Sequence, residues 1–287
     1  MKFRLLIGLL FLITTTVFSQ NKNKVLIIGI DGCRPDVLLH AKTKNIDKLW
    51  KKGAYSFNAK TDELSSSGIC WTGMLTGVWH KKHKVVSNSY KNPNINEYPH
   101  FFRRLKQEKP SLKTYSIIHW DPLHKILQDG DADVFETIKS DEGVTESVIS
   151  YLLNEEIDAM FVHLDDVDHA GHKYGYKSNV KEYVQSIEKI DDQVGRIVKS
   201  LKRRENYKKE NWLILLSTDH GGSEYGHGKN IPEHTTIFYI ASGKSTKKGE
   251  IKEKVHVIDV AATALKHLGL TIKEEWNLDA KPKGLKK

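Results

Sequence analysis

The amino-acid sequence predicts an α/β fold, a three-layer α/β/α sandwich built on a mostly parallel, doubly wound sheet. Two observations predict it: five short apolar runs typical of buried strands, and amphipathic helical patterns that alternate with them along the chain. The apolar runs are nearly continuous, as in parallel strands that are covered on both faces. Since no repeat and no linker interrupts this alternation in the sequence, we expect one domain.

The predicted strands cover 25–30, 114–118, 159–164, 212–216 and 237–241. The clearest helix covers 180–201, where the apolar residues fall on one stripe at helical spacing. Further helices are predicted at 45–52, 72–75, 98–107, 144–154 and 257–268. Ligands of doubly wound sheets bind beyond the carboxyl ends of the strands, and several strands here run directly into Asp and His residues.

The first twenty residues have the layout of a secretory signal peptide. Lys2 and Arg4 precede an apolar stretch over 5–13, and polar residues follow up to Gln20. The stretch is well short of the ~20 residues that a membrane span needs, so we expect no stable membrane insertion. We expect residues 1–20 to be removed, residues 21–287 to form a single catalytic domain, and the protein to be secreted or periplasmic.

Composition narrows the partners of this chain. The formal net charge is +9, which weakly favours a small anionic substrate. The sequence lacks the Arg-rich cluster with interleaved aromatic residues that is typical of nucleic-acid binding, so no nucleic-acid scaffold is expected. Two cysteines, Cys33 and Cys70, are too few for a disulfide scaffold or a Cys-based zinc site. The oligomeric state stays open.

Three segments concentrate residues that can bind a metal ion. Asp31 follows the first predicted strand and precedes Gly32. The sequence supports two roles for Asp31 equally, a metal ligand and a residue that starts a turn. The segment 162–172 mixes carboxylate and imidazole donors, which suits zinc or a similar divalent ion; the alternative is a solvated acidic loop. The segment 215–228 is glycine-rich, with a surface loop as the alternative. The last two contribute Asp165, Asp166, Asp168, His169, His172, Asp219, His220 and His227.

A candidate nucleophile lies in the segment 63–85. Ser67 precedes Gly68 and a short helical pattern, so its hydroxyl is expected near a helix N-terminus. Backbone N–H groups at such a terminus favour an anion such as phosphate.

Together these segments resemble the alkaline phosphatase superfamily and, within it, the type I phosphodiesterase/nucleotide pyrophosphatase group. The resemblance is carried by GIDG at Asp31, Ser67 ahead of TGMLTG, DHAGH from Asp168, and DHGG from Asp219 with a later His-Gly. These motifs keep the family's order over residues 25–243. The resemblance implies an alkaline phosphatase-like domain that binds two Zn²⁺ ions, or other divalent metals such as Mn²⁺.

The resemblance also implies a ligand set for each ion. Asp168, His172 and His227 would hold one zinc, and Asp31, Asp219, His220 and Ser67 would hold the other. Ser67 would also be the catalytic nucleophile. His234, in HTTIFY, competes with His227 for the late ligand position.

The predicted function is a secreted two-zinc hydrolase of phosphate esters, of the phosphodiesterase/nucleotide pyrophosphatase type, which forms a phosphoseryl intermediate. A phosphomonoesterase, a sulfatase-like enzyme or a phosphonate hydrolase on the same bimetal site is the first alternative. A non-catalytic binding protein with a decayed site is the second. The motif of type I sulfatases, Cys or Ser followed two residues later by Pro or Ala and then by Arg, does not occur here.

The sequence departs from the family pattern after the nucleophile. Where nucleotide pyrophosphatases carry Thr-Phe-Pro-Asn, with a phosphate-binding Asn, this chain has Ser67-Gly68-Ile69-Cys70. We expect another donor there, such as the Gly68 N–H. The resemblance also brings Cys33 and Cys70 near one another, either as a disulfide or as two buried thiols. Trp71, His119 and Trp120 are candidates for substrate contact, with a packed aromatic core as the alternative for the tryptophans.

Overall fold

The computed structural model describes residues 22–286 and contains one eight-stranded mixed sheet. Its strands are β1 Lys22–Ile30, β2 Ala54–Lys60, β3 Thr114–Ile118, β4 Val134–Thr137, β5 Ala159–Leu164, β6 Glu210–Ser217, β7 Thr236–Gly243 and β8 Gly249–Glu250. They lie in the order β4-β3-β5-β1-β6-β7-β2-β8. The pairs from β4 to β6 are parallel, whereas β7 is antiparallel to both of its neighbours. The mostly parallel α/β fold predicted from the sequence is confirmed.

All five predicted strands are present, and 114–118 and 159–164 have the predicted bounds. The sequence reasoning missed β2, β4 and β8. In β2 and β4 buried positions are mixed with partly exposed ones, so neither strand has the continuous apolar run that marks a strand covered on both faces. β8 has only two residues.

The helices are α1 Pro35–His40, α2 Lys44–Lys52, α3 Ser67–Thr76, α4 His80–His83, α5 Phe101–Glu108, α6 Asp141–Asn154, α7 Asp166–Tyr174, α8 Lys181–Lys202, α9 Pro232–Thr235 and α10 Asp259–His267. Short 3₁₀ helices cover Asp121–Ile126, Tyr207–Lys209 and Glu274–Trp276. The six predicted helices are confirmed with shifted ends. The segment after β5 does not form the acidic loop that was the alternative for 162–172, because α7 starts two residues beyond that strand and carries Asp168 and His172 on successive turns.

Two apolar cores lie on the two faces of the sheet. Strand β1 contributes Val25 and Ile27 to the core shared with α3, α5 and α10. Its alternate residues Leu26, Ile28 and Ile30 enter the core shared with α2, α6 and α8. This two-residue alternation follows from strand geometry, and it produces the three-layer α/β/α sandwich.

The predicted signal peptide, residues 1–20, lies outside the described residues. Within 22–286, no helix is both long and apolar enough to cross a membrane.

Candidate functional site

The predicted site residues meet at one edge of the sheet. The central strands β5, β1 and β6 are parallel neighbours, so their carboxyl ends lie side by side. Asp31 follows β1, and Asp219 and His220 lie just beyond β6. Asp168 lies in the first turn of α7, after β5. The fold therefore brings together residues that are far apart in the sequence.

One group of side chains surrounds the nucleophile candidate. Ser67 is the first residue of α3, and its Oγ lies 3.1 Å from His220 Nε2. The same nitrogen lies 3.5 Å from Asp31 Oδ1 and 3.3 Å from Asp219 Oδ2. All four side chains are buried. These are the four residues that the sequence analysis assigned to one metal ion.

A second group lies next to the first. His172 Nε2 is 3.2 Å from Asp168 Oδ2, and His227 Nε2 is 4.0 Å from Asp168 Oδ1. The rings of His220 and His227 stack with a centroid separation of 3.8 Å. The two predicted ligand sets are therefore adjacent.

Backbone carbonyls determine the tautomer of all three histidines. His220 Nδ1 donates to the Gly221 carbonyl, His172 Nδ1 to that of Tyr225, and His227 Nδ1 to that of Ser65, at 2.8, 2.9 and 2.9 Å. A carbonyl oxygen can only accept, so each neutral ring keeps its electron pair on Nε2. Metal-binding histidines are commonly oriented in this way.

His172 Nε2 and His227 Nε2 face each other at 3.2 Å. With both Nδ1 atoms protonated, these two nitrogens have electron pairs and no proton to share. Two nitrogens bound to one tetrahedral Zn²⁺ at 2.0–2.1 Å are separated by about 3.3 Å. The pair thus has the spacing of two ligands of one ion.

The carboxylates provide a test of whether divalent ions fit here. Asp31 Oδ1 and Asp219 Oδ2 are buried and have no hydrogen-bond partner among the described residues. Burial raises the pKa of both Asp31 and Asp219, and repulsion from neighbouring carboxylates, Asp168 among them, adds to the shift. Such a group keeps its charge at low cost only when a cation lies beside it. The donors around Asp31 and Asp219 therefore fit a divalent ion.

The protonation of the other groups also favours cation binding. Burial lowers the pKa of His220 to about 3, and the neighbouring His227 adds to the shift, so the ring is neutral at pH 7. Burial would raise the pKa of Asp168, but hydrogen bonding to His172 and the charges of nearby histidines hold it below its ordinary value. At neutral pH the site therefore presents Asp168 as a carboxylate and His220 as a neutral imidazole, the forms that bind metal.

Three residues that position ligands were not identified from the sequence. Trp71 Nε1 donates to Asp31 Oδ2 at 2.8 Å, and His163 Nε2 lies 3.1 Å from the same oxygen. The Tyr176 hydroxyl donates to Asp168 Oδ1 at 2.5 Å. These contacts cross between elements, so no local pattern indicates them. Trp71 is fully buried in the apolar core, which agrees with the packed-core alternative for this residue.

Asn88 is a further residue that the sequence analysis overlooked. Its Oδ1 accepts from the Gly68 N–H at 2.9 Å and from the Ser66 hydroxyl at 3.3 Å. The Gly68 N–H, expected to replace the missing Asn of the family motif, is therefore occupied. Because Oδ1 accepts both bonds, the side-chain NH₂ group of Asn88 is available as a donor beside Ser67.

His234 is separated from the metal-ligand groups by its own hydrogen bonds. Its Nδ1 accepts from the Lys229 N–H at 3.0 Å, and its Nε2 lies 2.7 Å from the Ser223 hydroxyl. Both ring nitrogens are therefore used, whereas His227 lies beside Asp168.

The disulfide expected as one alternative is not formed, because Cys33 and Cys70 are both free, buried thiols. Cys33 packs in the apolar core that α2, α6 and α8 cover, whereas the Cys70 thiol faces the Leu64 carbonyl at 3.7 Å. Trp120 packs against the core on the other face of the sheet, which α3, α5 and α10 cover.

Comparison with protein families agrees with this geometry. The Metalloenzyme superfamily matches residues 128–272, and the type I phosphodiesterase/nucleotide pyrophosphatase family matches residues 25–128. The chain belongs to the alkaline phosphatase superfamily of metalloenzymes. Residues from both matched segments line the site, because Asp31 and Ser67 lie in the first and Asp168 to His227 in the second.

The chain is also similar to individual proteins. The human GPI ethanolamine phosphate transferase 2 catalytic subunit is 28% identical over 276 residues, which cover 91% of this chain and 28% of the transferase. This chain thus spans about a quarter of that relative's length. Murine ectonucleotide pyrophosphatase/phosphodiesterase 5 shares the fold with a TM-score of 0.70 at 14% identity, covering 86% of this chain and 95% of the other. A 2-O GAG sulfatase gives a TM-score of 0.72 at 14% identity, with 91% and 73% covered.

Proposed function

We propose that this protein is a secreted, two-zinc hydrolase of phosphate esters, most similar in activity to phosphodiesterases, with Ser67 as the nucleophile. The observation that carries the proposal is that the Ser67 hydroxyl and the His220 Nε2 electron pair meet two unpartnered carboxylate oxygens, next to the facing Nε2 atoms of His172 and His227. The two ligand groups, the family membership and the position of Ser67 at a helix N-terminus support it.

Each side chain has a role in this proposal. Asp168, His172 and His227 hold one divalent ion, while Asp31, Asp219, His220 and Ser67 hold the other. Bound ions would lower the pKa of the Ser67 hydroxyl and stabilise negative charge on the phosphate oxygens. The Ser67 hydroxyl loses its proton to solvent, and its oxygen forms a bond to phosphorus as the bond to the leaving oxygen breaks; this gives a phosphoseryl ester and an alkoxide that takes up a proton from solvent. Water then cleaves that ester and regenerates the Ser67 hydroxyl.

Asn88 supplies the phosphate contact in this proposal. Its Oδ1 is fixed by Gly68 and Ser66, so the NH₂ group can donate to a non-bridging oxygen while Ser67 attacks. Asn88→Asp keeps the shape but replaces this donor by a carboxylate that repels phosphate. We expect it to raise KM for a phosphate ester while zinc content stays unchanged. An unchanged KM would exclude the contact.

A second candidate activity is transfer of the phosphoryl group to an alcohol instead of water. The observation that favours it is the 28% identity over 91% of the chain with an ethanolamine phosphate transferase. The first half-reaction would be the same, and only the acceptor would differ. We favour hydrolysis because water alone completes the second half-reaction, so that no second organic substrate has to bind.

The test is a zinc-loaded assay with four substrates: nitrophenyl phosphate, bis-nitrophenyl phosphate, nitrophenyl sulfate and a nucleotide phosphonate ester. We expect bis-nitrophenyl phosphate to be hydrolysed fastest. Preference for the monoester or the sulfate would support the monoesterase or sulfatase alternative. A flat result on all four with two zinc ions bound would favour a non-catalytic binding protein. Addition of glycerol tests transfer, because a transferase would form a glycerol phosphoester.

We also propose that residues 1–20 are a signal peptide and that residues 21–287 form a single catalytic domain. The charged start, short apolar stretch and polar exit of the sequence support it. The single sheet that runs through the described residues supports one domain. Mass spectrometry of the exported protein should find a new N-terminus near Gln20, and an intact Met1 would contradict cleavage.

A further inference from the structure

A second cluster of His and Asp residues lies beside the proposed bimetal site and has no role in it. His119 follows β3, Asp165 follows β5, and His169 lies one helical turn beyond Asp165. We call these three residues the lateral cluster; their ligand atoms lie within 4.8 Å of one another. His169 Nε2 is 3.1 Å from Asp165 Oδ2, and the rings of His119 and His169 pack edge to face at 5.5 Å.

Asp141, the first residue of α6, forms hydrogen bonds that hold residues of this cluster in position. Its side chain is fully buried, and its two oxygens accept from the backbone N–H groups of Asp165 and Asp166, both at 2.8 Å. His119 Nδ1 lies 2.7 Å from Asp141 Oδ1. A carboxylate that receives the Nδ1 proton leaves Nε2 as the ring nitrogen with a free electron pair, which is the usual arrangement behind a metal-binding histidine.

The charges around the lateral cluster favour a cation over an anion. Asp141, Asp165 and Asp166 contribute three carboxylates within one small region. Among the described residues, one basic side chain forms an ion pair with these carboxylates. It belongs to Lys189, whose ammonium group lies 2.8 Å from Asp166 Oδ2. Metal binding requires neutral histidines, and in that state three carboxylates and one ammonium group leave the region negative, so an anion would be repelled.

A buried histidine next to the cluster provides an independent observation. His163 is fully buried, and its Nδ1 has no hydrogen-bond partner among the described residues. Ligand atoms of Asp31, His163 and Asp165 lie within 4.8 Å of one another. A buried nitrogen without a partner is costly, and the same imidazole has a ring nitrogen near the Asp165 carboxylate of the cluster. His163 thus connects the lateral cluster to Asp31 of the bimetal site.

We propose that His119, Asp165 and His169 form a third divalent-cation site, oriented by Asp141. Two imidazoles and one carboxylate are the protein ligands of catalytic zinc sites that keep one position open. The 3.1 Å separation of His169 Nε2 and Asp165 Oδ2 is close to the ~3.3 Å expected between two ligands of one tetrahedral ion. His169 is 61% exposed, so the open position is accessible to water or to an oxygen of a bound substrate.

The test is zinc stoichiometry of the full chain, measured by elemental analysis after equilibrium dialysis against micromolar Zn²⁺. We expect three equivalents in the wild type and two in His169→Ala. Because His169 is largely exposed, this substitution should leave folding intact, which circular dichroism checks. His124→Ala is the control, since this histidine contacts Ser116 and Thr137 away from the cluster, and it should retain three. Equal zinc content in the wild type and His169→Ala would overturn the third site.

A second background separates this site from the proposed function. The triple variant Asp219→Ala/His220→Ala/His227→Ala leaves each proposed catalytic ion with two protein ligands, so we expect it to bind one zinc, which His169→Ala then removes. If the wild type bound one zinc and His169→Ala none, the third site would stand and the two-zinc proposal would fail. In Asp141→Asn the affinity of the third site should fall 10–100-fold. No loss of affinity would exclude the orienting role of Asp141.

Discussion

The hydrogen bond from Trp71 to Asp31 allows a quantitative prediction about metal affinity. Trp71 Nε1 donates to Asp31 Oδ2 at 2.8 Å, while Asp31 Oδ1 has no partner among the described residues. Trp71 therefore fixes one carboxylate oxygen and directs the other towards the proposed ion. Trp71→Phe removes the donor and keeps an aromatic ring in the core.

Two separate estimates give the size of the effect. A hydrogen bond to a charged group contributes about 1.5–3 kcal/mol. Loss of a residue that orients a metal ligand lowers metal affinity by about 10–100-fold, which corresponds to about 1.4–2.7 kcal/mol. The two ranges agree, so we expect one zinc of the bimetal site to bind 10–100-fold more weakly in Trp71→Phe.

The assay is competition between metal-free protein and a chromophoric zinc chelator at pH 7. Phe161→Leu is the matched control. The Phe161 ring packs against Trp71 in the same core, with a centroid separation of 5.9 Å, and it has no N–H or O–H group that could donate to Asp31. It should lower the free energy of unfolding but leave zinc affinity near the wild-type value. Wild-type zinc affinity in Trp71→Phe, or an equal loss in Phe161→Leu, would refute the reasoning.

The remaining predictions concern the late ligand, the packing of the site and its surroundings. His227→Ala should lose one zinc and His234→Ala none, as elemental analysis would show; the opposite result would assign the ligand to His234. In Gly29→Ala the new Cβ would lie 2.3 Å from the buried Trp71 ring, so we expect unfolding to become easier by about 1–3 kcal/mol. Gly226→Ala, with nothing within 4 Å, is its control in thermal denaturation, and equal melting temperatures would contradict this packing. Hydrogen bonds from Lys106 and Thr114 outweigh partial burial and lower the pKa of Asp133 to about 2. Its stabilising effect should be complete above pH ~4 and decrease as the pH falls towards 2, so urea unfolding should show Asp133→Asn closer to the wild type at pH 3 than at pH 5. A gap that widens towards pH 3 would exclude this linkage.

The central fold could be predicted because its strands are covered on both faces. Residues 114–118 and 159–164 have no polar residue except Thr114, Ser116 and His163, and such runs are typical of parallel central strands. The edge strands β2 and β4 lack this pattern. The antiparallel direction of β7 depends on tertiary pairing, which apolar periodicity does not encode.

The convergence of the candidate ligands could be predicted in part because several of them lie just beyond a strand and belong to a short motif. Asp31, Asp168 and Asp219 are examples. The residues that orient them could not, since their contacts join distant parts of the chain. Trp71 is 40 residues from Asp31, and Asn88 is 20 residues from Gly68. A tryptophan or asparagine in such a position has no local signature of its role.

The α7 helix shows how the physical context changed an interpretation. The acidic segment 162–172 reads as a loop because Asp, His and Gly are poor helix formers. In the structure Asp166 and Asp168 occupy the first turn of α7, where carboxylates stabilise the positive end of the helix dipole. Because His172 lies four residues after Asp168, the helix places both side chains on the same face.

The most direct measurement of the central claim is mass spectrometry of quenched enzyme after reaction with bis-nitrophenyl phosphate, together with zinc analysis. In the wild type we expect a nitrophenyl phosphate ester on the peptide that contains Ser67, because attack on the diester expels one nitrophenolate and leaves the other on phosphorus. In Ser67→Ala it predicts no adduct and no turnover, with zinc largely retained because three protein ligands of that ion remain. Full turnover in Ser67→Ala would contradict the account.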